Sequence, residues 1–306
     1  MDAACADTCA LVRVRQCRQM GTPKTILCTL ATLGLAAAAG GAWLVWGGLY
    51  NVSATEQHTQ PVYSLLETAM RQSVRLRARG IEPPALGAEA QVVHGAACYR
   101  EKCVQCHGAP GVAQGDIGKS MQPLPGPLVD ARQRWNAREL YWVTKNGIKM
   151  SGMPAWEYRL SDQDLWALVA FLERLPDMTP QQYAQASAPM MPSGQGAPGG
   201  PACGPGPRAA GGAQDSVRRG QRALAQYACN ACHTIPGTTG SFPQVGPPLA
   251  GMARRATIGG KLANTPDNMV QWLRHTRTVD PLTAMPEMGV TEQDARDIAA
   301  YLATLD

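Results

Sequence analysis

Two short stretches of the chain hold residues that could do chemistry: Cys103-Val104-Gln105-Cys106-His107 and Cys229-Asn230-Ala231-Cys232-His233. In each, two thiols stand about one helical turn apart and a histidine follows directly. The C-x-x-C-H spacing is the signature of covalent haem attachment. Each thiol can add to a haem vinyl group to give a thioether, and the histidine is placed under the ring, where its imidazole binds iron. A zinc site would need two further ligands near each pair, and the neighbouring sequence does not supply them. A thiol redox pair has no use for the histidine. The reading is two haem c groups, covalently attached through Cys103, Cys106, Cys229 and Cys232, with His107 and His233 on the irons.

The sixth ligand separates a carrier from a catalyst. A thioether closes the iron and raises its potential, whereas a vacant position admits a small substrate. Met153 lies 46 residues after His107, in Ser151-Gly152-Met153-Pro154, and Met285 lies 52 residues after His233, in Thr283-Ala284-Met285-Pro286. Each precedes proline in the loop before a closing helix, and that matched placement selects Met153 and Met285 from 13 methionines. Met150 and Met288 are near rivals, but neither precedes proline. The remaining histidines are His58, His94 and His275, of which His275 is the one bis-histidine candidate.

The elements that must position these groups form an internal repeat. Each copy opens with a helix leading into the cysteine motif, with Gly95 and Tyr99 matching Gly220 and Leu224. A Pro/Gly loop follows, Pro123-Leu124-Pro125-Gly126-Pro127-Leu128 and Gly246-Pro247-Pro248-Leu249. Start signals predict a middle helix in each: a capping box at Asn136 and Glu139, and Thr265 with Pro266 at the first helical position. Ser161 with Asp164, and Thr291 with Asp294, open the closing helices 162–175 and 292–305. No strand-period pattern competes, so the expected fold is all-α.

Along the chain these readings give a cytoplasmic segment 1–25, a transmembrane helix 26–50, a juxtamembrane amphipathic segment 51–87, a haem domain 88–186, a flexible linker 187–213 and a second haem domain 214–306. The apolar run from Ile26 to Tyr50 carries no charge and is long enough to cross a bilayer. Arg13, Arg15, Arg18 and Lys24 precede it, and Trp43, Trp46 and Tyr50 close it. The positive-inside rule then puts the haem domains on the outer, periplasmic side of an inner membrane, on a single-pass anchor. A cleaved leader, cut near Ala36–Gly40, is the competing reading; the apolar run's continuation to Tyr50 favours the anchor. In the segment 61–79, Val62, Leu65, Leu66, Ala69 and Val74 predict one apolar helix face, ending in four arginines. The linker is about half Gly and Pro, with Arg208 its sole charge. Cys98 and Cys203 are the external cysteines left over; pairing is open to them, but the position of Cys203 in the linker argues against it. Charges nearly balance in both haem domains, 14 basic against 13 acidic over 51–186 and 9 against 8 over 214–306, so there is no nucleic-acid footprint.

On these residues, 88–180 and 214–306 resemble class I cytochrome c domains. In that family a proline carbonyl accepts a hydrogen bond from the axial histidine. The resemblance assigns this part to Pro247 in the second unit, while the first has too many prolines to choose among. The second unit is more similar still to the cytochrome c domain fused to subunit II of caa-type haem-copper oxidases, through Gly246-Pro247, Arg254-Arg255, Gly259-Gly260, Asn264-Thr265-Pro266, Asn268, Trp272 and Met285-Pro286. That likeness implies Arg255 near a haem propionate and Trp272 packed near the haem. The chain has no copper-binding cysteine pair, so it departs from that subunit.

The expectation is a dihaem carrier, not an enzyme, passing single electrons in a bacterial-type respiratory chain. Its expected partners are the membrane and a terminal oxidase, a quinol-oxidising complex or a dehydrogenase, with soluble cytochrome c as a further candidate. A dihaem peroxidase or reductase is the alternative and needs a vacant iron.

Overall fold

A computed structural model describes residues 22–188, 203–206, 212–240, 243 and 245–306. Most of the expected cytoplasmic segment 1–25 therefore lies outside the described residues. The chain divides into two units, residues 1–58 and 59–306.

The first unit is built on α1 (Thr22–Trp46). Its stretch Thr25–Trp46 has 22 residues, a mean hydropathy of 1.6 and no residue buried against protein. At 1.5 Å per residue this is about 33 Å of helix, the thickness of a bilayer's hydrocarbon core. The helix stops four residues short of the expected end. Gly47 and Gly48 follow Trp46, and Gly48 takes a positive φ of 65° that ends the helical run. Trp43 and Trp46 are exposed at this end. Such a helix serves as an anchor or as a leader by length and composition alike.

The second unit opens with α2 (Gln60–Ala78). The apolar stripe expected there is split. Val74 and Ala78 are buried on the first haem domain, with the Arg71 guanidinium 5.3 Å from the Trp135 ring centroid, whereas Leu65 and Leu66 are exposed.

Two helical repeats follow. The first has α3 (Glu89–Lys102), α4 (Ala137–Asn146), α5 (Asp162–Arg174) and a short α6 (Pro180–Ala186). The second has α7 (Ala213–Gln226), α8 (Pro266–Arg274) and α9 (Glu292–Leu302). The caps form where the sequence signals them. Asn136 and Ser161 each close a full capping box, with Glu139 and Asp164, and Thr265 and Thr291 accept from the amides of Asn268 and Asp294. The first helix of each repeat crosses α5 or α9, respectively, at a glycine. A Cβ added to Gly95 would lie 1.9 Å from the Ala167 carbonyl oxygen, and one added to Gly220 would lie 1.9 Å from that of Asp297. Only an absent side chain permits helix backbones this close.

One element departs from the all-α expectation. Strands β1 (Thr257–Ile258) and β2 (Leu262–Ala263) pair antiparallel. Gly259 and Gly260 are the central residues of the turn between them, which Lys261 N closes by donating to Ile258 O at 3.0 Å, and their φ of 56° and 71° is the left-handed conformation that glycine takes without cost. Gly259 also lies against Trp272, where a Cβ would come within 2.6 Å of the indole.

The segment expected as a flexible linker is not free throughout. Its residues 203–206 pack on the first repeat, and Cys203 is disulfide-bonded to Cys98, against the expectation that they stay apart. Ser161 N donates to Gly204 O at 2.8 Å and Gly204 N to Asp164 Oδ2 at 3.2 Å. The rest of the linker, apart from 187–188 and 212–213, lies outside the described residues.

The two repeats also touch directly. Tyr158, from the first, is 2% exposed and belongs to the apolar core of the second. It meets Tyr227 edge-on, with ring centroids 6.3 Å apart. The neighbouring Arg159 donates to Gln226 O at 2.9 Å and lies 4.6 Å over the Tyr227 ring. That carbonyl ends α7, where a cation is favoured by the helix dipole.

Candidate haem sites

At the first site α3 runs directly into a single helical turn, Val104–His107, with His107 N donating to Cys103 O at 2.9 Å. Gly108, at a φ of 63°, ends the turn, and its carbonyl accepts from the buried Tyr99 hydroxyl at 2.7 Å. The second site makes the same bond, His233 N to Cys229 O at 2.9 Å, after Ala228 has reversed the chain at a φ of 54°.

Both imidazoles are held from behind. His107 Nδ1 lies 2.8 Å from Gly126 O, and His233 Nδ1 lies 2.7 Å from Pro247 O. A carbonyl can only accept, so Nδ1 carries the proton and Nε2 keeps the lone pair that binds a metal. Pro247 sits where the family resemblance puts it. The first site uses Gly126, which sequence reasoning missed among three prolines. The signal was available: the tails Gly126-Pro127-Leu128 and Pro247-Pro248-Leu249 align.

Burial pushes the Cys103 thiol up to about 12, with the neighbouring Cys106 adding and Lys102 opposing, and pushes Cys229 up to about 11. Burial lowers His107 below the usual histidine range and so favours the neutral imidazole, although the bond to Gly126 opposes the shift. Neutral thiols and a neutral, oriented imidazole suit thioether formation and iron ligation, and do not suit a reactive thiolate. Among the described residues, the one group of three or more clustered metal-ligand side chains is His94, Cys98, Asp164 and Cys203. There the two sulfurs are bonded to each other, and His94 Nε2 lies 2.6 Å from Asp164 Oδ1. The donor set at each C-x-x-C-H turn thus fits haem c and lacks the ligands of a zinc site.

Met153 and Met285 are both half-buried in the loop before the closing helix. Each has its amide tied to a hydroxyl two residues back, Met153 N to Ser151 Oγ and Met285 N to Thr283 Oγ1, both at 3.2 Å. These matching turns hold the two methionines alike. The rival Met150 is 99% exposed and Met288 is exposed too. A methionine that sequence reasoning did not weigh stands near the first of these loops: a Cβ on Gly152 would lie 2.4 Å from Met121 Sδ. His275 is exposed at the end of α8, and His58 hydrogen-bonds Tyr50. Trp272 is buried in the second core. Arg255 donates to the carbonyls of Pro248 and Ala250, so it clamps the loop that carries Pro247.

Helical domains that open into a C-x-x-C-H turn, with the histidine backed by a carbonyl, define the class of c-type cytochromes. Residues 90–172 match the family described as cytochrome c oxidase, cbb3-type, subunit III, and residues 217–306 match cytochrome c. The chain thus carries two cytochrome c-type domains behind one apolar helix; it binds haem c and works in electron transport. The match bearing an oxidase's name falls on the first domain, whereas the sequence likeness to an oxidase lay in the second. A chain of the reducing HAO-like protein complex of Kuenenia stuttgartiensis aligns over 74% of this chain and 99% of its own, at 16% identity and a TM-score of 0.22. A likeness that low carries no argument. No curated protein matches the chain.

Proposed function

We propose that the protein is a membrane-anchored dihaem cytochrome c that passes single electrons in a respiratory chain, to or within a terminal haem-copper oxidase or a related membrane redox complex. The observation that carries the reading is the matched pair of sites. Each offers two thiols, an imidazole with Nδ1 bonded to a carbonyl, and a methionine fixed by a hydroxyl two residues earlier. Haem c supplies the redox chemistry. The chain's own part is to hold His107 and His233 by their Nδ1 protons, to present Met153 and Met285, and to exclude water with the cores around Tyr99 and Trp272. The cbb3-type match of residues 90–172 supports an oxidase-associated role. With α1 uncleaved, the haem domains stand on the periplasmic face, where quinol-oxidising complexes, dehydrogenases and soluble cytochrome c are the candidate partners.

The contact through Tyr158 supports a stable two-domain subunit over a freely swinging shuttle. Haem counting per chain, with spectra of Met153→Ala and Met285→Ala, tests the reading. Two haems are expected, and each variant should turn one haem high-spin and lower its potential. Unchanged low-spin spectra in both variants would reject the ligands, and copurification from native membranes in mild detergent names the partner.

A further inference from the structure

We infer that His94, Cys98, Asp164 and Cys203 form a redox-gated Zn2+ site, closed while the two sulfurs are bonded to each other and a complete four-ligand set once they are reduced.

One ligand atom from each of these residues lies within 4.8 Å of the other three. They come from three separate segments. His94 and Cys98 stand on successive turns of α3, Asp164 on the first turn of α5, and Cys203 on the strap 203–206. Two sulfurs, one imidazole nitrogen and one carboxylate oxygen suit Zn2+ and do not suit the hard cations that take oxygen alone. Tetrahedral zinc, about 2.3 Å from sulfur and about 2.0–2.1 Å from nitrogen, puts those two ligands about 3.6 Å apart. His94 Nε2 lies 3.7 Å from Cys98 Sγ. The separation of 2.6 Å between His94 Nε2 and Asp164 Oδ1 would open to about 3.3 Å around the ion. The backbone holds the carboxylate in place for this. Asp164 Oδ2 accepts from Ser161 N at 3.1 Å and Gly204 N at 3.2 Å, while Oδ1 faces His94.

The fold does not demand these donors. Gly95 aligns with Gly220, so His94 and Cys98 align with Arg219 and Ala223. Asp164 has its counterpart in Asp294, which likewise caps its helix and accepts from the Tyr227 hydroxyl at 2.7 Å. The second repeat closes here with Ala223 fully buried and Arg219 paired to Asp297. The capping carboxylate is therefore common to both repeats, whereas the imidazole and the two sulfurs are additions of the first.

Opening the site is a thiol–disulfide exchange with an external dithiol. Its thiolate attacks Sγ of Cys203, the partly exposed end, since Cys98 is fully buried. The Sγ–Sγ bond breaks and Cys98 Sγ leaves with the electron pair. The second thiol of the reductant then displaces Cys203. The reductant ends as its own disulfide, and its two protons end on Cys98 and Cys203. Zn2+ displaces both protons to solvent. The proton on His94 Nε2 moves to Nδ1, which frees the lone pair for the metal. The ion then replaces the S–S bond as the link between the strap and α3.

Metal analysis of the full-length holoprotein tests this. The protein is reduced with dithiothreitol, freed of it without air, and equilibrated with Zn2+. Reduced wild type should hold one zinc per chain more than reduced Cys203→Ser, a comparison that subtracts zinc held by any other cysteine. Unreduced wild type should show no such excess. X-ray absorption of the added zinc should give two sulfurs at about 2.3 Å and two lighter ligands at about 2.0–2.2 Å. His94→Ala should weaken binding more than about 100-fold, beyond what loss of a mere orienting neighbour costs. Cys98→Ala, which copies Ala223 and so keeps the core closed, should lose the zinc as Cys203→Ser does. No excess zinc on reduction, an equal excess in unreduced protein, one sulfur or none around the added ion, zinc retained in Cys98→Ala, or a smaller loss in His94→Ala would each overturn the inference.

Discussion

The side-chain amide of Gln114 donates to the carbonyl oxygen of Cys106 at 2.7 Å. The corresponding carbonyl in the second repeat, on Cys232, accepts instead from the backbone of Gly246, also at 2.7 Å. The position of Gly246 is taken by Pro125 in the first repeat, and proline has no N–H to give. Gln114 replaces the missing donor and bonds Pro125 O as well, next to the Gly126 carbonyl that orients His107. Gln114→Leu should therefore cost about 1–3 kcal/mol by leaving a carbonyl of the haem loop unpaired. Denaturant unfolding should show the loss in the first domain and leave the second unchanged. Gln114→Glu, which has no donor when ionised, should behave like the leucine variant.

The glycine crossings give a second expectation. Alanine at Gly95 or Gly220 places a methyl 1.9 Å from a helix carbonyl, with no flexible neighbour to yield. Separation of the helices should cost about 3 kcal/mol, the upper end for overpacking. For a domain of this size that is a fall of about 12 °C in Tm, read by circular dichroism, with each variant affecting its own repeat.

Much of this was legible in the sequence, for a physical reason. The C-x-x-C-H turns, the caps at Asn136, Ser161, Thr265 and Thr291, and the Gly95/Gly220 correspondence are local, so short-range chemistry fixes them. Gly126 was hidden because any residue can offer a carbonyl and only the fold selects one. Gln114 was hidden because its role is defined by a hydrogen that Pro125 lacks, eleven residues away. Tyr158 and the Cys98–Cys203 pair depend on long-range packing, which no periodicity reports. The 257–263 hairpin has strands of two residues, too short to show alternation.

Asp297 should make the second domain acid-sensitive. It is fully buried on α9. Burial alone would raise its carboxyl, but bonds from Arg219, at 2.7 and 3.0 Å, and from Ser216 and Gln293 hold it below the usual carboxylate range. A group depressed in the folded state stabilises above its unfolded value of about 3.9, and that contribution is lost as pH falls through the folded value. Stability of the second domain should therefore decline below about pH 4. Asp297→Asn should flatten that decline and cost about 3 kcal/mol at neutral pH by stranding Arg219. The first repeat has Ala167 at this position, so this ion pair belongs to the second repeat alone.

Tyr158 tests whether the second domain depends on the first for its own core. The side chain comes from the loop after Met153, yet is 2% exposed among residues of the second domain such as Tyr227 and Ile298. Truncation to alanine removes a buried aromatic, which costs about 3–5 kcal/mol, and the loss should appear in the unfolding of the second domain although the residue belongs to the first. Tyr158→Phe keeps the ring. It forfeits the hydroxyl's long bond to Arg219 O at 3.4 Å, and a single hydrogen bond of this kind is worth about 1 kcal/mol. Differential scanning calorimetry of both variants separates packing from hydrogen bonding: a large loss in alanine alone means that the aromatic ring keys the two haem domains together, and equal losses would assign the contact to the hydroxyl.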